Sequence, residues 1–468
     1  MLFTSMEFLF LFFPVVIAGY FILRGKLRNY WLLFTSLFFY AWGEPKFVLA
    51  MLASILINYA AALAIELLRE KKRVCQVILT LDLVVNLGML FVFKYMNFVT
   101  GILHSFLPQT SFVLPIGISF FTFQALSYVV DVYRGIPAQK NPFYVGLYIS
   151  LFPQLIAGPI VRYTTVMNEI EERTVTKEGF CHGVLRFLYG FNKKILLANL
   201  LAKVADVAFV AETLSTGMAW LGAVCYSLQI FFDFCGYSEM AIGLGEMFGF
   251  HFLENFNYPY ISKTVTEFWR RWHISLGTWF RDYVYFPLGG SRVESKLRLV
   301  FNLAVVWLAT GIWHGANWTF LLWGILHGAV IIVEKLTGIP KKVEEKKGLA
   351  IGYRVITLLV VLLGWVMFRA ESVGEGFSYI ASMFAMGETS FVDAQFFFQL
   401  REYAVILGAG ILFAMPVIKN LKEKISAKSE RSAAVCDYIG CGVQLILFVV
   451  SVSFLVMNAH NPFIYFNF

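Results

Sequence analysis

The sequence predicts an all-α, polytopic membrane protein. Of its 468 residues, 59% are hydrophobic and only 15% are charged, and the mean hydropathy is +0.70. A soluble domain carries roughly 25% charged residues, so this chain has too few charges to cover a soluble surface of its size. The composition also excludes disordered, collagen-like, coiled-coil and disulfide-rich proteins. The excess of apolar residues is therefore expected to face lipid.

Apolar runs long enough to cross ~30 Å of hydrocarbon recur along the whole chain. We find no internal repeat and no room for a soluble module, so the sequence predicts one membrane domain over residues 1–468. The predicted spans lie near 6–23, 29–42, 46–66, 74–97, 113–133, 183–209, 219–249, 299–314, 317–335, 349–368, 403–418 and 433–457. Two further pieces, 142–160 and 262–290, are predicted to be re-entrant or interfacial.

The distribution of charge predicts the orientation of the spans. The first span is expected to be retained, because Glu7 lies at its start and basic residues follow it, and its start is expected outside the cytoplasm. The lysine-rich stretches 335–354 and 419–431 are separated by two predicted spans, so both can be cytoplasmic. The stretch between them is then outside, and its acidic residues are Glu371, Glu375, Glu388, Asp393 and Glu402.

The first polar segment at membrane depth is 229–246. An ionised Asp233 in hydrocarbon needs a basic or hydrogen-bonding partner from another helix. Two interpretations stay open, a structural ion pair with an arginine and a functional acid. The residues that share one helical face with it are Gln229, Gly236, Tyr237 and Met240.

The second polar segment, 267–283, is predicted to form one amphipathic helix in the membrane interface. Its role is either membrane anchorage or the supply of Arg270 and Arg271 to an anionic, phosphate-bearing ligand. The glycine pair that follows, Gly289-Gly290, could form a turn or a phosphate-binding nest. The polar arc holds Glu267, Arg270, Arg271, Ser275, Thr278, Arg281 and Asp282, with His273 at its border.

The third polar segment surrounds His314, which closes one apolar run and precedes another. Thr310, Gly311 and Asn317 lie at helical spacings from it, and the glycines would let a substrate or another backbone approach closely. Because lipid disfavours such a concentration of polar groups, His314 is predicted to be functional. His327, on a different face, is interpreted as a buried structural histidine. No histidines or cysteines have metal-ligand spacing, so no metal site is predicted.

These segments resemble the membrane-bound O-acyltransferase (MBOAT) family, and within it the alginate O-acetyltransferase branch. The resemblance covers nearly the whole chain, and its two long central blocks are highly specific. Cys235 and Glu239 depart from the family pattern, in which Ser and Asp are usual. The blocks are MLFTSMEFLFLFFP at the start, FPQLIAGPIVR at 152–162, QIFFDFCGYSEMAIGLG at 229–245, ENFNYPYISKTVTEFWRRWHISLGTWFRDYVYFPLGGSR at 254–292, TGIWHGANWTFLLWGILHG at 310–328 and the closing NPFIYFNF.

The resemblance implies a bowl of roughly 11–13 transmembrane helices, with interfacial and re-entrant helices around a central tunnel. It places the interfacial helix and the catalytic histidine region within 262–328. His314 matches the family's near-invariant histidine and His273 its second important one, so both are expected to be catalytic.

The resemblance also implies substrates, partners and a location. In this branch cytoplasmic acetyl-CoA supplies an acetyl group that crosses the membrane, and an extracytoplasmic acetyltransferase-type partner protein sets it on polysaccharide hydroxyls. The related teichoic-acid D-alanyl transferases use a carrier-protein donor. We therefore expect a multi-pass protein of the bacterial inner (plasma) membrane that contacts lipid, holds no bound cofactor and binds no nucleic acid.

Acyl transfer from a thioester needs a base for the attacking hydroxyl and hydrogen-bond donors for the oxyanion. His314 is predicted to be the base, and Asn317 or the Trp313 indole N–H the oxyanion donor. Asp233 is a further candidate for substrate positioning, and His273 is expected to orient the acyl donor. Two alternatives stay open: a transporter or channel that moves the donor without chemistry, and the same chemistry on a lipid acceptor.

Overall fold

The computed structural model describes residues 1–102, 114–386 and 390–457 together with Ile464. Throughout these residues the regular structure is helical and contains no strand, which confirms the predicted all-α class. Three parts of the predictions lie outside the described residues. They are Val113 at the start of the predicted span 113–133, Glu388 in the acidic stretch, and all of the closing block except Ile464.

The helices up to residue 210 are Phe13–Ile22, Leu27–Gly43, Val48–Leu67, Lys72–Leu90, Met96–Ile102, Ile118–Tyr133, Pro142–Ser150, Phe152–Leu155, Tyr163–Glu171, Lys177–Lys193 and Asn199–Val210. Those that follow are Thr216–Met247, Val265–Arg271, Ile274–Phe280, Lys296–His314, Trp318–Thr337, Ile339–Glu345, Lys347–Arg369, Val373–Met383, Ala394–Phe413, Val417–Ser426 and Glu430–Met457. Single turns of π-helix are Phe8–Phe12, Phe91–Tyr95, Lys194–Ala198 and Arg281–Tyr285, and Pro259–Ile261 is a 3₁₀ turn.

Eight helices within the described ranges are long and apolar enough to cross a membrane. A bilayer core needs ~20 apolar residues, so a chain with so many of them is a multi-pass membrane protein. Two shorter apolar helical stretches, Phe8–Ile22 and Ile118–Tyr133, add to them. The predicted re-entrant piece 142–160 contains only the short helices Pro142–Ser150 and Phe152–Leu155.

One predicted span, 403–418, was placed too late in the sequence. The helix runs from Ala394 to Phe413 and therefore includes the charged residues Arg401 and Glu402. It begins where it does because the Asp393 carboxylate accepts a hydrogen bond from the Phe396 N–H at 2.7 Å and caps the helix. The prediction from hydropathy left the charged residues Arg401 and Glu402 out of the span, whereas the capped helix continues through them.

The described residues form two compact units. One comprises residues 1–187 with 237–253, and the other comprises 188–236 with 254–468. The first unit packs a phenylalanine cluster in which Phe3, Phe8 and Phe152 are fully buried. The second contains Asp233, His273 and His314. The single domain over 1–468 stays a prediction.

Candidate active site

His314 is the last residue of the helix Lys296–His314 and is only 4% exposed. Its ring is enclosed by three aromatic rings, with centroid distances of 5.0 Å to Trp313, 4.9 Å to Trp323 and 5.2 Å to Phe368. All three approach edge-on. A histidine so enclosed is held in one orientation by packing, as a proton-transfer group requires.

Gly311, one turn before His314, and Gly324, on the following helix, admit another backbone. A Cβ added to Gly311 would lie 2.7 Å from the carbonyl oxygen of Phe320, and one added to Gly324 would lie 2.7 Å from the carbonyl oxygen of Trp307. The helices Lys296–His314 and Trp318–Thr337 can therefore pack at backbone distance. Of the two alternatives for Gly311, close approach of a second helix is the one observed, whereas a Cβ added to Gly315 would meet the Phe320 ring.

The predicted single helix over 267–283 is wrong, because the chain breaks in its middle. Two short helices, Val265–Arg271 and Ile274–Phe280, are separated by Trp272 and His273. His273 has φ 44° and ψ 54°, the left-handed conformation that a residue with a Cβ rarely adopts. Such strain persists only where the surroundings impose it, and it is concentrated at functional sites.

Asn255 imposes this conformation on His273. The Asn255 side-chain oxygen accepts hydrogen bonds from Ser275 N at 3.1 Å and Ser275 Oγ at 2.9 Å, and it lies 3.1 Å from His273 Nδ1. The Ser275 N–H can only donate, which identifies the facing amide atom as the oxygen. That oxygen can only accept, so His273 Nδ1 carries the proton and Nε2 is an acceptor. Burial lowers the pKa of His273 to about 3, so its ring is neutral.

Trp313 brings the two predicted histidines together. Its ring centroid lies 6.0 Å from that of His273 and 5.0 Å from that of His314. On the helix Thr216–Met247, Phe234 packs edge-on against His273 at 4.6 Å. Two histidines that are distant in sequence therefore contact one indole.

Asp233 forms a buried ion pair, but its partner is a lysine and not the expected arginine. Its Oδ1 lies 2.5 Å from Lys194 Nζ, and its Oδ2 accepts a hydrogen bond from the Ile464 N–H at 2.9 Å. A buried carboxylate held by two partners favours the structural interpretation of Asp233. Asp233 precedes Phe234 in the chain, so the pair fixes the helix segment that packs against His273.

The two candidate oxyanion donors differ in their surroundings. The Asn317 oxygen accepts from Thr319 N at 3.1 Å, and its nitrogen donates to the Glu371 carbonyl oxygen at 2.9 Å. Asn317 therefore caps the helix that follows and ties down the loop after His314. Because one of its two N–H groups already donates to Glu371, Asn317 has a single N–H left to offer an oxyanion.

The two candidate phosphate-binding arginines also differ. Arg271 contacts Glu267 Oε1 through Nη2 at 2.9 Å and through Nε at 3.0 Å, and it donates to the Asn257 carbonyl oxygen at 3.1 Å. Arg270 is exposed. An arginine already engaged by a carboxylate has less capacity for an anionic ligand, so the geometry favours Arg270 for that role. The indoles of the same segment pack against protein, Trp269 against Trp323 at 5.2 Å among them.

The Gly289-Gly290 pair forms a turn. Both residues have positive φ, and their N–H groups donate to the carbonyl oxygens of Phe286 and Tyr285 at 2.9 Å each. Because these amides are already bonded within the turn, they do not form a phosphate-binding nest.

Sequence reasoning missed two residues of this region, Asn255 and Glu334. Asn255 carries no local signal, because its partners follow about twenty positions later and are brought to it only by the fold. Glu334 does carry one, a carboxylate in the last turn of an apolar helix, where the helix dipole disfavours negative charge.

Comparison with known proteins gives a consistent family assignment. The model of the MBOAT, membrane-bound O-acyltransferase family, matches residues 134–338, which include both histidines. The chain is 38% identical to the probable alginate O-acetylase of Azotobacter vinelandii over 100% of both chains. It is 33% identical to the peptidoglycan O-acetyltransferase of Helicobacter pylori, over 100% of this chain and 98% of that one. It is 29% identical to the teichoic acid D-alanyltransferase of Bacillus subtilis, over 56% of this chain and 71% of that one.

Proposed function

Because this chain belongs to the membrane-bound O-acyltransferase family, we propose that it moves an acetyl or other small acyl group from a cytoplasmic thioester for O-acetylation of an extracytoplasmic polysaccharide. The observation that carries this proposal is the contact of His314 and His273 with one indole, in a chain that matches O-acetylating relatives from end to end.

In the proposed reaction His314 acts as the general base. It takes the proton from an acceptor hydroxyl, whose oxygen attacks the thioester carbonyl carbon. The carbon–oxygen ester bond forms, the carbon–sulfur bond breaks, and the proton passes from His314 to the departing sulfur, which leaves as a thiol. The Trp313 N–H stabilises the negative charge on the carbonyl oxygen during the transfer.

Acetyl-CoA is the proposed donor. His273, neutral and held in place by Asn255, orients the donor beside the Trp313 indole. The exposed Arg270 contacts the phosphates of the donor, and Arg271 supports the segment through Glu267. Donor and acceptor meet without a covalent acyl-enzyme intermediate.

We place the protein in the bacterial cell membrane, with the lysine-rich stretches 335–354 and 419–431 in the cytoplasm. The acidic stretch 371–402 then faces the outside, where an extracytoplasmic acetyltransferase-type partner protein receives the acetyl group and passes it to the polysaccharide. The Asn317–Glu371 hydrogen bond ties the loop after His314 to this stretch, which supports acceptor entry from that side.

A second candidate function is transfer of D-alanine to teichoic acid, and the observation in its favour is the match to the Bacillus subtilis enzyme. That match covers 56% of this chain, whereas the O-acetylating relatives cover all of it, so acetyl transfer is the primary proposal. Acyl transfer to a lipid and non-catalytic transport of the acyl donor remain outcomes of the test below.

The test is to express the protein with its genomic neighbours, supply isotope-labelled acetate or labelled D-alanine, and analyse exported glycan, protein and lipid by mass spectrometry. We expect labelled acetyl ester on the glycan with the wild-type chain and none with His314→Ala at equal membrane levels. Labelled D-alanyl ester would support the second function, and label confined to lipid would support a lipid acceptor. Export of the donor itself, unaffected by His314→Ala, would support a transporter.

A further inference from the structure

Glu334 is a fully buried carboxylate near the end of the helix Trp318–Thr337. Its Oε1 accepts a hydrogen bond from Val265 N at 2.8 Å. Its Oε2 accepts one from Thr266 N at 2.8 Å and another from Thr266 Oγ1 at 2.5 Å. Three donors on two consecutive residues thus converge on one carboxylate.

These donors belong to the first turn of the helix Val265–Arg271. The first N–H groups of a helix have no acceptor within the helix, and its N-terminus attracts negative charge. Thr264 caps the turn locally by accepting from Glu267 N at 3.1 Å. Glu334 supplies the remaining acceptors from a different helix, so its hydrogen bonds also fix the position of one helix against another.

The face of the helix that carries Glu334 also reaches His314. At 100° per residue, Trp323, His327 and Glu334 lie within about 40° of one another around the helix. The Trp323 ring lies 4.9 Å from the His314 ring. Trp269, on the helix that Glu334 caps, packs against both Trp323 at 5.2 Å and His327 at 5.1 Å.

We infer that Glu334 is a positioning residue for the acyl transfer, because it holds the segment bearing His273 in register with His314. One end of the helix face contacts the base, and the other end anchors the segment that runs through Trp269 to the strained His273. A neighbouring helix assists at the same place, where Thr357 Oγ1 donates to the Lys263 carbonyl oxygen at 3.1 Å. This inference rests on the proposed function of the two histidines.

The test is Glu334→Gln in the full-length protein, with acetyl-CoA as the donor. Glutamine has nearly the same shape as glutamate, but its –NH₂ group would replace one carboxylate oxygen and face a backbone N–H. At that position two hydrogen-bond donors would then point at each other, and the hydrogen bond would be lost. We expect kcat to fall at least tenfold while the KM for acetyl-CoA changes less than twofold, because Arg270 and His273 lie on the same segment and move together with the donor, whereas their alignment with His314 is lost. The matched control is Glu345→Gln, the same change at an exposed position, which should behave as wild type.

Coupling between Glu334 and Thr266 separates positioning from general structural support. Thr266→Val removes one of the three hydrogen bonds that Val265 and Thr266 donate to Glu334, and it should lower kcat less than Glu334→Gln does. Thr266→Ser should recover most of that loss. The double variant Glu334→Gln/Thr266→Val should be no worse than Glu334→Gln alone, since both changes act on one anchor. Multiplied effects in the double variant would overturn the inference.

Two further outcomes would also overturn it. One is a reduced amount of Glu334→Gln protein in the membrane with a normal kcat per molecule, which would make Glu334 a stability residue only. The other is a normal kcat and KM in Glu334→Gln. Failure of the proposed function is separately visible, because His314→Ala would then retain acetyl transfer.

Discussion

Two buried regions of this molecule differ in where their polar side chains lie relative to regular helix. Between the helices Val48–Leu67 and Lys72–Leu90, the side-chain amides of Asn58 and Asn86 donate to each other at 3.0 Å and 3.3 Å. Each also donates to the backbone of its own helix, Asn58 to the Ser54 carbonyl oxygen at 2.8 Å. These two amides lie within regular helices, and the hydrogen bonds between them join one helix to the other.

The polar groups of the second region lie where regular helix stops. His314 ends a helix, and His273 lies at a break between two short helices. There the backbone no longer fixes the side chain on a helix-packing face, and the two rings meet at the indole of Trp313, in the last turn of the His314 helix. If the proposed roles of the two histidines hold, a buried polar residue at a helix end indicates chemistry more strongly than one within a helix.

The largest effect that the comparison predicts is at His314. His314→Ala and His314→Gln should each reduce acetyl transfer by at least about a hundredfold, a change of about 3 kcal/mol in the activation free energy, because neither residue can shuttle a proton. The measurement is acetyl ester on exported glycan at equal membrane levels of protein. Wild-type transfer by the Gln variant would falsify the assignment of the base.

The next largest effect is expected at Asn255. Asn255→Ala removes the acceptor that holds His273 and leaves the Ser275 N–H without its partner, so we expect about a tenfold loss of kcat. The double variant with His273→Ala should lose little more than His273→Ala alone. If the two losses multiply, Asn255 acts independently of His273.

The pH dependence of transfer should not report His273. Its pKa of about 3 lies below the working range, so lowering the pH from 8 to 5 leaves the ring neutral. The acid limb of the pH–rate profile should therefore keep its midpoint in His273→Gln, although the rate falls. A midpoint that moves in this variant would show that His273 takes up a proton within that range.

The two arginines should separate donor binding from folding. Arg270→Gln should raise the KM for acetyl-CoA about tenfold, which is the loss of one charge-assisted contact of about 1.4 kcal/mol, and leave kcat nearly unchanged. Arg271→Gln should instead lower the amount of folded protein, since it breaks the pairing with Glu267. Equal effects of both variants on KM would mean that both arginines contact the donor.

The smallest effect on activity is expected in the other region. Asn86→Leu leaves the Asn58 amide without its partner and should lower the stability of the protein by about 1–2 kcal/mol. The rate per folded molecule should be unchanged, as measured by acetyl transfer against detergent-resistant protein. A loss of kcat at full stability would place this amide pair in the reaction pathway and remove the contrast between the two regions.

The sequence alone determined the fold class and most of the membrane-spanning helices. Lipid provides no hydrogen bonds to the backbone, so a long apolar run has little alternative to a helix. His314 is predicted to be functional for a related reason, because Thr310, Gly311 and Asn317 crowd a place where polar groups are costly. His273 was identified by resemblance to the family, since its local pattern suggested only the border of an amphipathic helix.

The tertiary structure decided which partner each polar group has. The break at His273 depends on Asn255, which lies 18 residues earlier in the chain. Trp269 and Trp272, in the segment predicted to lie in the membrane interface, pack against other tryptophans, because hydropathy does not distinguish lipid from a protein interior. Likewise, an acid at membrane depth requires a partner, but Asp233 finds Lys194 and Glu334 finds the start of a helix. The cost of burying charge is a local property of the sequence, whereas the group that offsets it is chosen by the fold.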